Sequence, residues 1–120
     1  MRKLAALIAG LALLVPAALA QTGPNGGMVA GAGHHKAELV VSPTELSVHL
    51  LEDGKPHDSK GTTLRAVIQQ SGKTTTIDLA DQDGKKLTAK LPAPLEKGAI
   101  VVLSGKDDHG DRFTARYVIK

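Results

Sequence analysis

The stretch "AELVVSPTELSVHL", Ala37–Leu50, decides the fold class, because two alternating apolar runs flank a turn sequence. Within each run an apolar side chain recurs at every second position, which is the period of a β-strand with one buried face. Pairing Val41 with Leu46 across the "SPT" turn keeps all of these apolar residues on one face and sets Glu38 opposite His49 on the other. A slip of one residue would mix the two faces. The stretch therefore predicts an antiparallel hairpin with Glu38 and His49 on a solvated outer face.

Short runs of the same kind continue along the chain, and sequences rich in Gly, Pro, Asp and Ser separate them. No stretch after residue 20 has a convincing 3.6-residue apolar period, so helices are not expected. The pattern predicts one all-β domain over residues 21–120, a small antiparallel β-sandwich or barrel of about seven or eight short strands. The predicted strands are Gly27–Ala32, His35–Val41, Glu45–Leu51, Thr63–Gln70, Thr74–Leu79, Lys86–Leu91, Ala99–Ser104 and Arg112–Ile119.

The first twenty residues have the layout of a cleavable secretory signal. They combine a basic start, an apolar run from Leu4 to Val15 and a small-residue ending at Ala20. We expect cleavage after Ala20 and a periplasmic location, with no membrane insertion after cleavage. Because the chain contains no cysteine, neither a lipid anchor at that site nor disulfides are expected.

The composition argues against several function classes. Cleavage after Ala20 would lower the Lys+Arg total from 15 to 13, against 12 Asp+Glu, and these charges are dispersed along the chain. A nucleic-acid footprint and a polybasic membrane patch are therefore not predicted. Thiol catalysis is excluded, and no hydrolase elbow, zinc-protease motif or nucleotide-binding loop is present. We expect a binding protein and not an enzyme.

Histidines are the side chains best suited to hold a metal ion in this sequence. In a chain without cysteine, imidazole supported by carboxylate suits Cu(II), Zn(II) or Ni(II), and we expect Cu(II) or Zn(II). His57 and His109 lie in turns beside acidic residues, and the sequence assigns them no definite role. The five are His34, His35, His49, His57 and His109.

The strand period restricts which histidines can act together. Neighbouring side chains in a strand point to opposite faces. His34 therefore shares the outer face with Glu38 and His49, whereas His35 points to the same face as Ala37. We predict that one or both of His34 and His35 bind the metal, with His49 and Glu38 as further ligands. His35 would join that cluster if the chain before it is irregular. The simpler alternative for His49 is an exposed cross-strand ion pair with Glu38.

The sequence also resembles a known group of proteins. The segment "GPNGGMVAGAGHHKAELVV" followed by "TELSVHLLEDGKPHDSKG" is similar to a family of small exported bacterial proteins. A similar segment occurs as the N-terminal module of periplasmic adaptor subunits of heavy-metal efflux pumps. The similarity covers Gly23 to Gly61, and the rest of the chain matches only as a β-rich pattern. The resemblance implies a periplasmic β-domain connected with divalent metal handling, with ligand roles for His34, His35 and Glu38.

Two function hypotheses follow from these features. The first is a periplasmic protein that binds a divalent transition metal and buffers it or delivers it to an efflux system. The alternative is a module without metal that docks on another protein of the cell envelope. The first hypothesis requires the histidines, and the second is indifferent to them.

Overall fold

The computed structural model describes residues 21–32 and 35–120, and it confirms the all-β prediction. Within those residues it contains ten strands and no helix, and so no helix that could span a membrane. The predicted signal peptide and His34 lie outside the described residues. The strands are β1 (Gln21–Thr22), β2 (Met28–Ala32), β3 (His35–Val41), β4 (Glu45–Glu52), β5 (Lys55–Pro56), β6 (Thr63–Gln70), β7 (Lys73–Gln82), β8 (Lys86–Lys90), β9 (Ile100–Lys106) and β10 (Arg112–Val118).

The strands form one antiparallel sheet that curls into an open half-barrel. Its order is β1-β2-β3-β4-β8-β7-β6-β9-β10, and the short β5 pairs with the end of β4. The long strand β7 joins the two halves, since its first part pairs with β6 and its last residues pair with β8. At the opposite seam β10 packs against β2. This curvature brings the start of β3 close to the loop between β9 and β10.

Local sequence accounts for the hairpins. The predicted register of the β3–β4 hairpin is confirmed, with Val41 paired to Leu46 and Glu38 paired to His49. Three other hairpins have turns with two central residues of positive φ, as type I′ turns require, and in the β7–β8 connection Lys85 follows these two residues. Each pair ends in glycine, which adopts positive φ at little cost. The three turns are Asp53-Gly54, Ser71-Gly72 and Asp83-Gly84.

The core lies inside the curl and consists mainly of aliphatic side chains. Tyr117 is the large exception, and its hydroxyl donates a 2.6 Å hydrogen bond to the carbonyl of Ala37 across the seam. Burial, together with the nearby charge of Glu38, raises the pKa of Tyr117 well above its usual range, so the hydroxyl stays a donor. The fully buried aliphatic residues include Ala37, Leu39, Leu46, Val48, Ala66, Leu87, Val101 and Leu103.

A tight five-residue loop, Gly23–Gly27, connects β1 and β2. The Gly26 amide donates to the Gly23 carbonyl at 3.0 Å, and the Gly23 amide donates to the Gly27 carbonyl at 2.8 Å. Gly26 has a φ of +80°, which is the left-handed region that favours glycine. The loop therefore contains a four-residue turn whose last residue is a left-handed glycine, a common hairpin connection.

Glu38 is the residue that fastens this loop to the sheet. Its Oε2 accepts hydrogen bonds from the amides of Asn25 and Gly27 at 2.8 and 2.7 Å, and its Oε1 accepts one from Asn25 Nδ2 at 2.9 Å. The Glu38 side chain is 0% exposed. The predicted solvated outer face is therefore wrong at Glu38, because the loop covers it. Gly23 allows this closeness, since a Cβ there would lie 2.4 Å from Glu38 Cδ.

Candidate metal centre

The loop between β9 and β10 repeats the backbone geometry of the Gly23–Gly27 loop. The Gly110 amide donates to the Asp107 carbonyl at 3.0 Å, and the Asp107 amide donates to the Asp111 carbonyl at 2.9 Å. Gly110 has a φ of +86° and takes the place of the left-handed glycine. The sequence "DDHGD" therefore forms a defined loop and presents its acids in a fixed arrangement.

The two loops also bind a carboxylate in the same way. In the second loop Asp107 Oδ1 accepts hydrogen bonds from the amides of His109 and Asp111, at 2.9 and 2.8 Å. These amides hold the third and fifth positions, as Asn25 and Gly27 do in the first loop. There the first position is a glycine, so Glu38 supplies the carboxylate from the neighbouring strand. Asp107 thus organises its own loop from within.

The charge state of Asp107 suits it to act as a ligand. Burial alone would raise the pKa of Asp107, but the amide hydrogen bonds from Asp111 and His109 oppose this effect. The charges of His109 and His35 act in the same direction as those hydrogen bonds. The net result is a pKa below the usual range for aspartate, so Asp107 is ionised at neutral pH.

His35 meets this loop from the other side of the seam. It is the first residue of β3, and its parity is that of the inward-facing Ala37. Potential ligand atoms of His35, Asp107 and Asp111 all lie within 4.8 Å of one another. His35 and Asp107 are half-buried, and Asp111 is exposed. One imidazole and two carboxylates therefore converge at this end of the half-barrel.

The connection between β5 and β6 closes the same end. Its Ser59 hydroxyl donates a short hydrogen bond to Asp81 at the end of β7, and the Thr62 amide donates to the Ser59 carbonyl at 3.1 Å. Gly61, with a φ of +82°, packs against Asp108, because a Cβ on Gly61 would lie 3.1 Å from the Asp108 Cβ. The bond to β7 thus holds the β5–β6 connection in place, and this connection positions His57 and Thr62 next to the β9–β10 loop.

Two further histidines belong to this end of the molecule. His57 Nδ1 lies 3.2 Å from Glu52 Oε1, and its Nε2 lies 3.9 Å from Asp108 Oδ1. His109 Nδ1 lies 3.2 Å from the same Asp108 oxygen. Asp107, Asp108 and His109 form a second group whose ligand atoms lie within 4.8 Å of one another. Three of the five histidines thus gather with four carboxylates.

The sequence-predicted residues are distributed as follows. His35 lies in the cluster with Asp107 and Asp111. His49 pairs with Glu38 as predicted and is half-buried, but among the described residues it belongs to no group of three possible ligands. Glu38 is buried beneath the N-terminal loop, with both oxygens accepting hydrogen bonds. The prediction for His34 falls outside the described residues.

Sequence reasoning missed Asp107 and Asp111 as companions of His35. Two signals were available. The loop sequence "KDDHGD" concentrates three acids around one histidine, and the inward parity of His35 separated it from Glu38. The missing piece was topological, because only the curl of the sheet brings the start of β3 to the β9–β10 loop.

No family model matches the chain, and neither the curated proteins nor the solved structures compared with it give a match. The resemblance to the efflux-adaptor module and the exported location remain predictions.

Proposed function

We propose that this protein is an exported, periplasmic protein that binds one divalent transition-metal ion, Cu(II) or Zn(II), and buffers or delivers it. The ligands in this proposal are His35, Asp107 and Asp111. The observation that carries it is the convergence of their ligand atoms within 4.8 Å of one another. Around a tetrahedral ion with ligand distances of about 2.0–2.2 Å, neighbouring ligand atoms lie roughly 3.3–3.6 Å apart. The three side chains therefore need to approach one another by no more than about 1.5 Å to form the site.

The chemistry of the group supports a divalent ion. Two carboxylates neutralise two positive charges, and a neutral imidazole adds the nitrogen ligand that Cu(II) and Zn(II) favour. Asp107 already uses Oδ1 for its own loop, so we assign its Oδ2 to the ion. Asp107 can then bind the metal through Oδ2 while Oδ1 keeps the hydrogen bonds of the loop that positions Asp111.

Titration calorimetry with Zn(II) and with Cu(II) tests the proposal. We expect saturable one-to-one binding at micromolar or lower concentration in the wild type. His35→Ala and Asp111→Asn should each weaken binding by more than about 100-fold, which exceeds the effect of an outer-shell residue. Asp111→Asn is informative because the loop uses only the backbone of Asp111.

His49→Ala is the matched control, since it removes a half-buried histidine outside the group and should leave affinity unchanged. His34→Ala tests the remaining sequence prediction in the same assay. If wild-type protein shows no saturable binding at neutral pH, the metal function is refuted and the envelope-interaction hypothesis takes its place. The mass of the protein recovered from the periplasm tests export, with cleavage after Ala20 as the expected result.

A further inference from the structure

A small cavity lies beside two of the proposed metal ligands, His35 and Asp107. Its volume is about 20 Å³, and Lys36, His57 and Thr62 also contribute to its wall, with the apolar Leu50 and Phe113. A cavity needs roughly 10–15 Å³ of such volume to hold one water molecule. This cavity therefore has room for a water molecule.

Thr62 is the feature of the cavity that most requires a partner. The residue is 7% exposed, and within the described part of the chain its hydroxyl Oγ1 makes no hydrogen bond. Buried hydroxyls in folded proteins are almost always hydrogen-bonded, because leaving one without a partner is costly. The Thr62 backbone is held by a hydrogen bond to Ser59, and Thr62 contributes to the cavity wall. Such a group indicates a polar occupant.

His57 is another polar residue of the cavity wall, and it lies outside the group of side chains that could bind the ion directly. It shares the cavity wall with His35 and Asp107, but it is not part of their 4.8 Å group. Its Nδ1 faces Glu52 Oε1 at 3.2 Å, so in the neutral tautomer Nδ1 carries the hydrogen and Nε2 accepts. Nε2 and Asp108 Oδ1, 3.9 Å apart, are too distant for a direct hydrogen bond.

We propose that a water molecule in this cavity completes the coordination of the bound ion, held in place by Thr62 and His57. The inference rests on the metal function proposed above and extends it. The water accepts or donates at Thr62 Oγ1 and donates to His57, while its oxygen binds the ion. A site with three protein ligands and one water has an exchangeable position, whereas closed structural sites use four protein ligands. The centre is thus suited to reversible loading and release of its ion, as buffering or delivery requires.

The test compares Thr62→Val, which removes the hydroxyl and keeps the shape, with Thr62→Ser, which keeps the hydroxyl. We expect Thr62→Val and His57→Gln to weaken Zn(II) binding by about 10–100-fold, the usual effect of losing an outer-shell partner. Thr62→Ser should bind like the wild type. In D₂O, pulsed EPR of the Cu(II)-loaded wild type should detect deuterons of a coordinated water.

The outcomes separate the two proposals. If wild-type protein binds Zn(II) but Thr62→Val and His57→Gln bind it equally well, the water is refuted and the metal site stands. Absence of a coordinated water in the Cu(II) spectrum would overturn the inference in the same way. If His35→Ala binds like the wild type, the proposed ligands are wrong and the inference falls with them. Thermal unfolding of each metal-free variant shows whether weaker binding reflects a damaged fold.

Discussion

Moving a carboxylate from strand β3 into the Gly23–Gly27 loop tests how that loop is held in place. The two five-residue loops of this protein bind a carboxylate through the amides at their third and fifth positions. The carboxylate of Asp107 comes from the first loop position, whereas that of Glu38 comes from β3. We therefore predict that an aspartate at position 23 can replace Glu38.

The first step is the loss of the anchor. Glu38→Ala removes three hydrogen bonds to a charged acceptor, each worth about 1.5–3 kcal/mol when intact. The net cost is smaller than their sum, because the buried carboxylate no longer loses its hydration and the exposed Asn25 regains water. We expect the free energy of unfolding to fall by about 2–4 kcal/mol. In a domain of this size the melting temperature should fall by roughly 10–25 °C.

The second step is the transplant. Gly23→Asp alone should be destabilising by about 1–3 kcal/mol, because the new Cβ would lie 2.4 Å from Glu38 Cδ and would add a like charge. The atoms that it would strike at Glu38 are Cγ, Cδ and Oε1, and all three are absent in Glu38→Ala. The double variant should therefore recover about 1–2 kcal/mol relative to Glu38→Ala, in place of one or two charge-assisted hydrogen bonds.

Urea unfolding of the wild type, both single variants and the double variant gives the coupling energy directly. The expected sign is unusual, since two destabilising substitutions partly cancel. Glu38→Gln is the matched control, because it keeps the shape and one acceptor oxygen and should be less harmful than Glu38→Ala. A double variant no more stable than Glu38→Ala would refute the equivalence of the two loops.

Three further predictions concern the metal-free protein. Gly105→Ala should lower the free energy of unfolding by about 3 kcal/mol or more, because the new Cβ would lie 1.8 Å from the Thr63 carbonyl oxygen. Gly72→Ala should lower it by only about 1–2 kcal/mol, because the site is open and only its φ of +74° disfavours a side chain. Equal losses for the two variants in urea unfolding would contradict this prediction. Folding lowers the pKa of Asp107, so the ionised carboxylate contributes stability that is present above the unfolded pKa of about 3.9 and is lost as the pH falls through the folded pKa. In EDTA, the difference in unfolding free energy between wild type and Asp107→Asn should therefore shrink below about pH 4. A difference that does not change with pH would contradict this assignment. Thr62→Val should lower the free energy of unfolding by no more than about 1 kcal/mol without metal, because the only partner inferred for its hydroxyl is a cavity water; a larger loss would mean that the hydroxyl has a partner within the protein.

The sequence was most informative where a pattern is local. Strict alternation through Ala37–Leu50 predicted both strands and their register, since a one-residue slip would bury the wrong face. The Ser71-Gly72 turn likewise predicted the end of β6 and the start of β7 to within one residue. The two additional strands, β1 and β5, are two residues long each, too short to leave a periodic signal.

The sequence was least informative about what covers a strand face. Alternation correctly placed Glu38 opposite His49, but it gave no information that the Gly23–Gly27 loop folds onto that face. An exposed ion pair and a buried loop anchor produce the same alternating sequence. His35 was affected by the converse problem, because its partners lie more than seventy residues further along the chain. The closeness of β3 and the β9–β10 loop arises from the curvature of the whole sheet.

Exposure is what separates the two carboxylate-binding loops chemically. Glu38 is fully buried and gives both oxygens to its loop, so metal binding there would require the loop to open and two amides to lose their acceptor. Asp107 is half-buried and satisfies both loop amides with Oδ1 alone. It can therefore organise the loop and bind an ion at the same time. The same backbone motif fastens a loop to the middle of β3 through Glu38 and, in our proposal, forms a metal-binding loop beside its first residue, His35.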